Sequence, residues 1–186
     1  MTNHVDYEIN KELGECYLFM GEYEKARGYY TKAVECDSAN PAPYIGLAAI
    51  SLGMGNMQDA YDLYCKANAV KESDRSLSGM AMIECEQGRH EEAFSHFVRA
   101  LEYNAVNMVA INGLLQVCHF LGRLAEVIAP LEAALALNSD ESIRYALAAC
   151  LLSVGREDEA KQHLEALLGE NPANTEAQQL YAQFAA

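Results

Sequence analysis

The chain has 186 residues, 51% of them hydrophobic, and its 13 basic and 27 acidic residues give a formal net charge of −14. Binding to the phosphates of duplex DNA or RNA depends on Lys and Arg, so this balance argues against nucleic acid as the ligand. The hydrophobic fraction excludes a disordered acidic polymer, and the acidity is interpreted either as a source of solubility or as attraction to a basic partner.

The start of the chain and its cysteines predict the compartment. The first ten residues carry neither the basic end nor the apolar run of a signal peptide, and no uninterrupted apolar segment of ~18 residues follows. We expect a soluble, cytoplasmic protein with no membrane-inserted segment. The six Cys never form CxxC, and we expect them to be reduced and mostly buried, with Cys16, Cys118 and Cys150 at apolar helix positions.

Residues 13–33 contain the pattern of one pair of antiparallel helices. Their turn glycine recurs at steps of 34, 33, 34 and 33 residues, and a small apolar residue follows each glycine five positions later. Self-similarity at this period indicates an array in which each helix pair buries its apolar face on its neighbours. The glycines are Gly21, Gly55, Gly88, Gly122 and Gly155, followed by Ala26, Ala60, Ala93, Val127 and Ala160.

The array is predicted to form a single domain over residues 1–186, with a short, frayed polar lead over residues 1–6. A last helix over residues 175–186 carries Ala177 and Phe184 on one face, which predicts a cap over the fifth pair. The five repeats are predicted at residues 7–40, 41–73, 74–107, 108–140 and 141–174.

Pro130 departs from the helical pattern of the fourth repeat. It lies about two turns into the second helix of that repeat, where it removes the hydrogen bond to Glu126. We therefore predict a kink in that helix.

The residue types within the unit resemble the signature of the tetratricopeptide repeat (TPR) family. They are Leu13, Gly14, Tyr17, Ala26, Tyr30 and Ala33, with Pro172 closing the fifth repeat. The resemblance covers about residues 7–186 and implies an all-α fold, a right-handed superhelical solenoid of five TPR helix pairs plus a C-terminal capping helix. It also implies a concave face lined by the first helix of each pair, and a protein that binds other proteins and is not an enzyme.

The glycine of the family signature survives only as Gly14, whereas the later repeats carry a small residue two positions earlier. One interpretation is that a small residue lets adjacent first helices pack closely. The other is that bare backbone on the inner face lets a ligand chain come near. These residues are Gly46, Gly79, Gly113 and Ala146.

The inner-face positions that the resemblance implies contain a candidate peptide-binding site. Asn112, Gln116 and His119 lie at i, i+4 and i+7, hence on one helix face, and amides offer both donors and acceptors to a peptide backbone. The alternative is a set of polar residues on a solvated surface. The predicted site comprises Asn112, Gln116, His119, Phe120 and Tyr145, extended by Met82 and Ile45.

Two inner-face carboxylates, Glu8 and Glu15, are predicted to favour a basic residue at one end of the ligand. The leading prediction is therefore a protein–protein interaction scaffold that binds a peptide or partner segment in the concave groove, as an adaptor or a chaperone does. A TPR chaperone similar to those of type III secretion is one alternative, and an enzyme with an unrecognised site is another.

Catalysis and metal binding have little support in the sequence. Cys118 and His119 are adjacent in a helix and therefore point to different faces. His90 and His96 differ by six positions, which is not a same-face step. We expect no cofactor and no metal, and the sequence leaves the partner's identity and the oligomeric state open.

Overall fold

The computed structural model describes residues 2–185, and all regular structure in this range is helical. The predicted all-α class is confirmed. Met1 and Ala186 lie outside the described residues, so the outermost ends of the predicted domain and of its last helix are not covered. The helices are Thr2–Phe19 (α1), Tyr23–Cys36 (α2), Ala42–Gly53 (α3), Met57–Val70 (α4), Asp74–Glu86 (α5), His90–Tyr103 (α6), Met108–Leu121 (α7), Ile128–Leu137 (α8), Glu141–Ser153 (α9), Glu157–Glu170 (α10) and Thr175–Tyr181 (α11), with 3₁₀ segments at Leu124–Val127 and Ala182–Ala185.

The helices fall into two compact units, one up to His96 and one from Phe97 onward. In the first unit α1 packs on α2 and α3 on α4, and in the second α9 packs on α10. Helix α11 buries Ala177 in a cluster with Ala148, Leu164 and Leu167, while Phe184 packs against that cluster from the 3₁₀ segment. The single domain over residues 1–186 and the bounds of its repeats stay a prediction.

The predicted polar lead over residues 1–6 is wrong where the structure describes it, because α1 begins at Thr2. This helix has 18 residues, whereas the first helices of the later pairs have 12 to 14. The side chain of Asn10 donates to the carbonyl of Asp6 at 2.7 Å, one turn earlier in the same helix.

The turn glycines all adopt the left-handed conformation, with φ between 69° and 79°. After α1, for example, the N–H of Gly21 donates to the carbonyl of Leu18 at 3.0 Å, which satisfies one of the last carbonyls of the helix. A residue with a Cβ is strained in this conformation. The regular spacing of the glycines therefore reflects a left-handed turn that recurs once in each repeat, at Gly21, Gly55, Gly88, Gly122 and Gly155.

Replacing Gly88 by Ala tests that conformational requirement. A Cβ at Gly88 would meet nothing within 4 Å, so the strain of a left-handed Ala is the only cost. We expect Gly88→Ala to lower the free energy of unfolding by about 1 kcal/mol in chemical denaturation. The matched control is Gly28→Ala in α2, where space is equally open but φ is not positive; there Ala should stabilise by about 0.5–1 kcal/mol. A shift of the same sign in both variants contradicts the assignment.

Helix α8 begins at Ile128, after the 3₁₀ segment Leu124–Val127, so the predicted kink within a continuous helix is wrong. Pro130 is the third residue of α8 and lies in its first turn, where backbone N–H groups have no partner within the helix. Because α8 begins only at Ile128, Glu126 lies outside the helix, and no helical hydrogen bond from residue 130 to Glu126 is required. The irregularity expected from Pro130 is present, but as a 3₁₀ turn ahead of it.

The second helices of the first three repeats, α2, α4 and α6, each place an aromatic ring against a glycine of the helix that follows. A Cβ built on Gly46 would lie 2.3 Å from Cζ of Tyr30, and one on Gly113 would lie 2.1 Å from Cζ of Phe97. Of the two interpretations of these glycines, close packing is therefore the one that the structure supports. The packing partner, however, is an aromatic ring of the preceding second helix and not another first helix. Bare backbone for a ligand is ruled out at these positions because the rings occupy the space. The pairs are Tyr30–Gly46, Tyr64–Gly79 and Phe97–Gly113.

The contact between Tyr64 and Gly79 gives a double-mutant test. A Cβ on Gly79 would lie 2.4 Å from Cζ of Tyr64, so Gly79→Ala should overpack the core and lower the free energy of unfolding by about 1–3 kcal/mol. The chain itself carries a smaller combination at the equivalent positions where the fourth repeat meets the fifth, Leu131 with Ala146. In Tyr64→Leu background, Gly79→Ala should therefore cost much less. Additive effects of the two substitutions in denaturation experiments would contradict a direct contact.

Candidate peptide-binding face

Helix α7 is held by packing on one side and carries polar and aromatic side chains on the other. Its inward residues Ile111, Leu114 and Val117 are buried. At its start, the Asn107 side chain accepts a hydrogen bond from the N–H of Ala110 at 3.1 Å. The register of the outward residues is thereby fixed.

The outward face of α7 brings four of the predicted site residues onto one helix. Asn112, Gln116 and His119 are exposed, and the side chain of Phe120 is 67% exposed. Tyr145 belongs to the same unit but lies on α9, where it is half-buried and packs against the cluster around Ala148. The arrangement offers amide donors and acceptors next to an exposed aromatic side chain.

The other predicted residues lie in the unit that ends at His96. Met82 is exposed on α5 and Glu15 is exposed on α1. Glu8 pairs with Lys11 in the same helix, at 2.5 Å between Oε2 and Nζ, and this hydrogen bond raises the pKa of Lys11. Ile45 is only 6% exposed and lies in a core cluster with Tyr64, so its predicted role as a ligand contact is wrong: the side chain is already covered.

A buried carboxylate was missed by the sequence analysis. The side chain of Glu84 is 1% exposed and lies among groups from α4 and α6. Tyr61 donates its hydroxyl to Oε1 at 2.9 Å, and His96 donates Nδ1–H to Oε2 at 2.7 Å. The Arg89 guanidinium lies 3.6 Å from Oε1 and stacks over the Tyr61 ring at 4.9 Å. Equivalent positions in the other repeats hold Tyr17, Ser51, Cys118 and Leu151, so the unusual charge is visible when the repeats are aligned.

The ionisation of Glu84 follows from these contacts. Burial would raise the pKa of its carboxyl, but the hydrogen bonds from His96 and Tyr61 and the nearby charges outweigh burial and hold the pKa below its ordinary value. The charged form is therefore the one that the fold stabilises. Through Tyr61, Glu84 and His96 these contacts join α4, α5 and α6.

Glu84→Gln should reveal this role in the pH dependence of stability. Because the folded pKa is lowered, the carboxylate stabilises the fold above its ordinary pKa of about 4.3, and this contribution is lost as the pH falls through the folded value. We expect the free energy of unfolding of the variant to be about 2 kcal/mol below that of the wild type at pH 7, and this difference should become smaller below pH ~4. Denaturation from pH 7 to 3 measures it, with the exposed Glu86→Gln as control. A constant difference across that range would show that the charge of Glu84 is not involved.

The cysteines are all free thiols, but only Cys118 and Cys150 of the six are buried, so the expectation that they are mostly buried is wrong. Burial raises the pKa of Cys118 to about 11, which keeps this thiol protonated and unreactive. Cys16 is exposed, so its predicted place at a buried apolar position is wrong, because it lies on the side of α1 turned away from the core.

Two further findings concern chemistry and membranes. Among the described side chains, no group of three His, Cys, Asp or Glu residues is arranged to hold a metal ion. No helix in the described range has both the length and the apolar character needed to cross a bilayer.

An apolar groove of about 200 Å³ lies between α6 and α8 in the second unit. Pro130, in the first turn of α8, forms part of its wall, and sequence reasoning did not predict the groove. Its lining residues are Val98, Leu101, Glu102, Ala105, Ala129, Pro130 and Ala133.

Comparison with known proteins finds the same repeat along most of the chain. One model of the tetratricopeptide repeat matches residues 54–184 and another matches residues 7–40. The BBSome complex member BBS4 of Bos taurus is 29% identical over 110 residues, which are 59% of this chain and 21% of that protein. The photosystem I assembly protein Ycf3 of Synechococcus elongatus is 30% identical over 95 residues, 49% of this chain and 50% of that protein. The chain thus spans from about a fifth to half of the length of these relatives.

Solved structures show a similar fold. The pilF protein of Pseudomonas aeruginosa has a TM-score of 0.76 at 22% identity, covering 97% of this chain and 83% of its own. YrrB, a TPR protein with an unusual peptide-binding site, has a TM-score of 0.65 at 18% identity, covering 91% of this chain and 89% of its own. At these identities the similarity shows the fold alone, and it confirms the predicted TPR fold.

Proposed function

This chain belongs to the tetratricopeptide repeat family, and on that premise we propose that it binds an extended peptide or partner segment on the outward face of α7. TPR proteins bind protein partners in general and are typically not enzymes. The relatives support such a role, since their names describe a member of a complex and an assembly protein. Adaptor and chaperone are two uses of one such face, and the identity of the bound segment decides between them.

The observation that carries the proposal is the row of exposed groups on a helix whose opposite side is fully packed. Asn112 and Gln116 extend amides that pair with a peptide backbone, which lacks partners once water is displaced. Phe120 beside them exposes apolar area, and covering that area favours the complex. Rigid aromatic groups contribute contact area at a low cost in side-chain entropy.

Tyr145 adds an anchor that is already held in place. Because it packs against the cluster around Ala148, little rotamer freedom is left for a ligand to remove. Met82, Glu8 and Glu15 lie in the first unit, and their contribution to ligand binding stays a prediction.

The experiment begins with capture of partners from a native lysate and continues with calorimetry on the captured segment as a synthetic peptide. We expect Phe120→Ala and Tyr145→Ala each to weaken binding by about 1–3 kcal/mol, and Asn112→Ala by somewhat less. Thermal melts should barely move for Phe120→Ala and Asn112→Ala, whereas Tyr145→Ala also removes packing against the cluster around Ala148 and should lower the melting temperature. The control is Leu137→Ala, an exposed apolar residue on α8 that lies outside the face.

Unchanged affinity in both aromatic variants would overturn the proposal. Loss of binding on Ala133→Arg, with the α7 variants unaffected, would assign the partner to the groove between α6 and α8 instead.

A further inference from the structure

On the side opposite its packed face, helix α1 exposes a stripe of apolar residues with one carboxylate at its centre. The residues of this stripe are spaced alternately four and three positions apart, which places them all on one face of the helix. They are Val5, Ile9, Glu12, Cys16 and Phe19. Their exposure is high: 57% for Val5, 51% for Ile9 and 95% for Phe19. We call these five residues the α1 stripe.

The opposite side of α1 explains why the stripe is left outside. Tyr7 and Gly14 are buried, and a Cβ on Gly14 would lie 2.8 Å from Cδ1 of Tyr30 in α2. Packing against α2 therefore fixes the rotation of α1 and directs the stripe to solvent. Several large apolar side chains exposed on one helix face are typical of an interaction site.

The charges around the stripe are acidic. Glu12 lies within it and Glu15 lies beside it, both exposed. Lys11 is the one Lys or Arg in α1, and it is paired with Glu8. This single Lys, which also interacts with Glu12 and Glu15, faces three glutamates in the helix, so a partner that covers the stripe meets a net negative surface.

We infer that the α1 stripe docks an amphipathic helix of another protein, whose apolar side chains repeat at the same 4-and-3 spacing and whose Lys or Arg lies opposite Glu12. The stripe runs over about four turns, which suits a helix lying alongside α1. A cation opposite Glu12 offsets the desolvation of that carboxylate and selects the partner by charge.

A second copy of this chain is the less favourable occupant. Two α1 helices paired antiparallel about the middle of the stripe bring Glu12 against Glu12, and a parallel pair in register does the same. Two like charges in an apolar contact oppose association.

The α1 stripe shares no residue with the face of α7. Variants in α1 therefore test this inference without altering the residues of the proposed function.

The test uses two synthetic helical peptides of 18 residues, the length of α1. Both carry Leu at the 4-and-3 spacing, one with Lys and one with Glu at the flanking positions. Fluorescence anisotropy measures binding to the full chain, and the alkylation rate of Cys16 reports whether the stripe is covered. We expect the Lys peptide to bind and to slow alkylation of Cys16, and the Glu peptide to bind at least 10-fold more weakly.

Variants locate the contact. The double substitution Ile9→Ser with Phe19→Ser should weaken the Lys peptide at least 10-fold. Glu12→Lys should weaken the Lys peptide about 5-fold and strengthen the Glu peptide. Leu137→Ser, an equally exposed apolar residue on another helix, should change neither, and circular dichroism should show all variants folded.

Several results would overturn the inference. These are failure of the Lys peptide to bind the wild-type chain, equal binding of both peptides, or no effect of Glu12→Lys. Sedimentation showing a wild-type dimer that Ile9→Ser with Phe19→Ser dissociates would assign the stripe to a second copy and would equally reject the proposed occupant.

Discussion

The packing of an aromatic ring on bare backbone is the constraint on which the succession of helices depends. A ring from one second helix fills the space that a Cβ would need in the next first helix, as with Tyr64 and Gly79. The two helices approach closely only because one side of the contact has no side chain. In the second unit the same contact fixes α7, since Gly113 lies against Phe97 and is adjacent to Asn112. The outward residues of α7 are thus positioned by a contact on its packed side.

Local features of the sequence predicted the helices and their turns well. A left-handed glycine and a buried alanine report on their immediate surroundings, so their period alone locates them. Exposure was harder to predict because it depends on the neighbouring helices. Ile45 and Asn112 occupy the same position of their repeats, yet Ile45 is in the core while Asn112 is in solvent. Of the candidate site, the pattern therefore predicted the exposed face of α7 but not the burial of Ile45.

Contacts between residues distant in sequence account for the other differences. Glu84 is a stable buried carboxylate only because Tyr61 and His96, 23 and 12 positions away, donate to it. A scan for same-helix pairs does not find such a group. The sequence correctly indicates that Pro130 is incompatible with a helix interior, but the chain meets that restriction by starting α8 only at Ile128. The sequence indicates that no helix interior can include Pro130, whereas the position at which α8 begins depends on packing within the whole unit.

Where the fourth repeat meets the fifth, Leu131 and Ala146 stand in place of the aromatic residue and the glycine of the earlier junctions. This difference limits how repeats of this chain can be deleted or reordered. The junctions between repeats are of two kinds, one with a ring on bare backbone and one with an aliphatic side chain at the position facing an alanine. A deletion of the fourth repeat would join a ring-bearing helix to a helix with a methyl group, placing Phe97 opposite Ala146. Repeats of equal length are therefore not interchangeable modules, and the order in which they follow one another is itself encoded in the side chains at their joints.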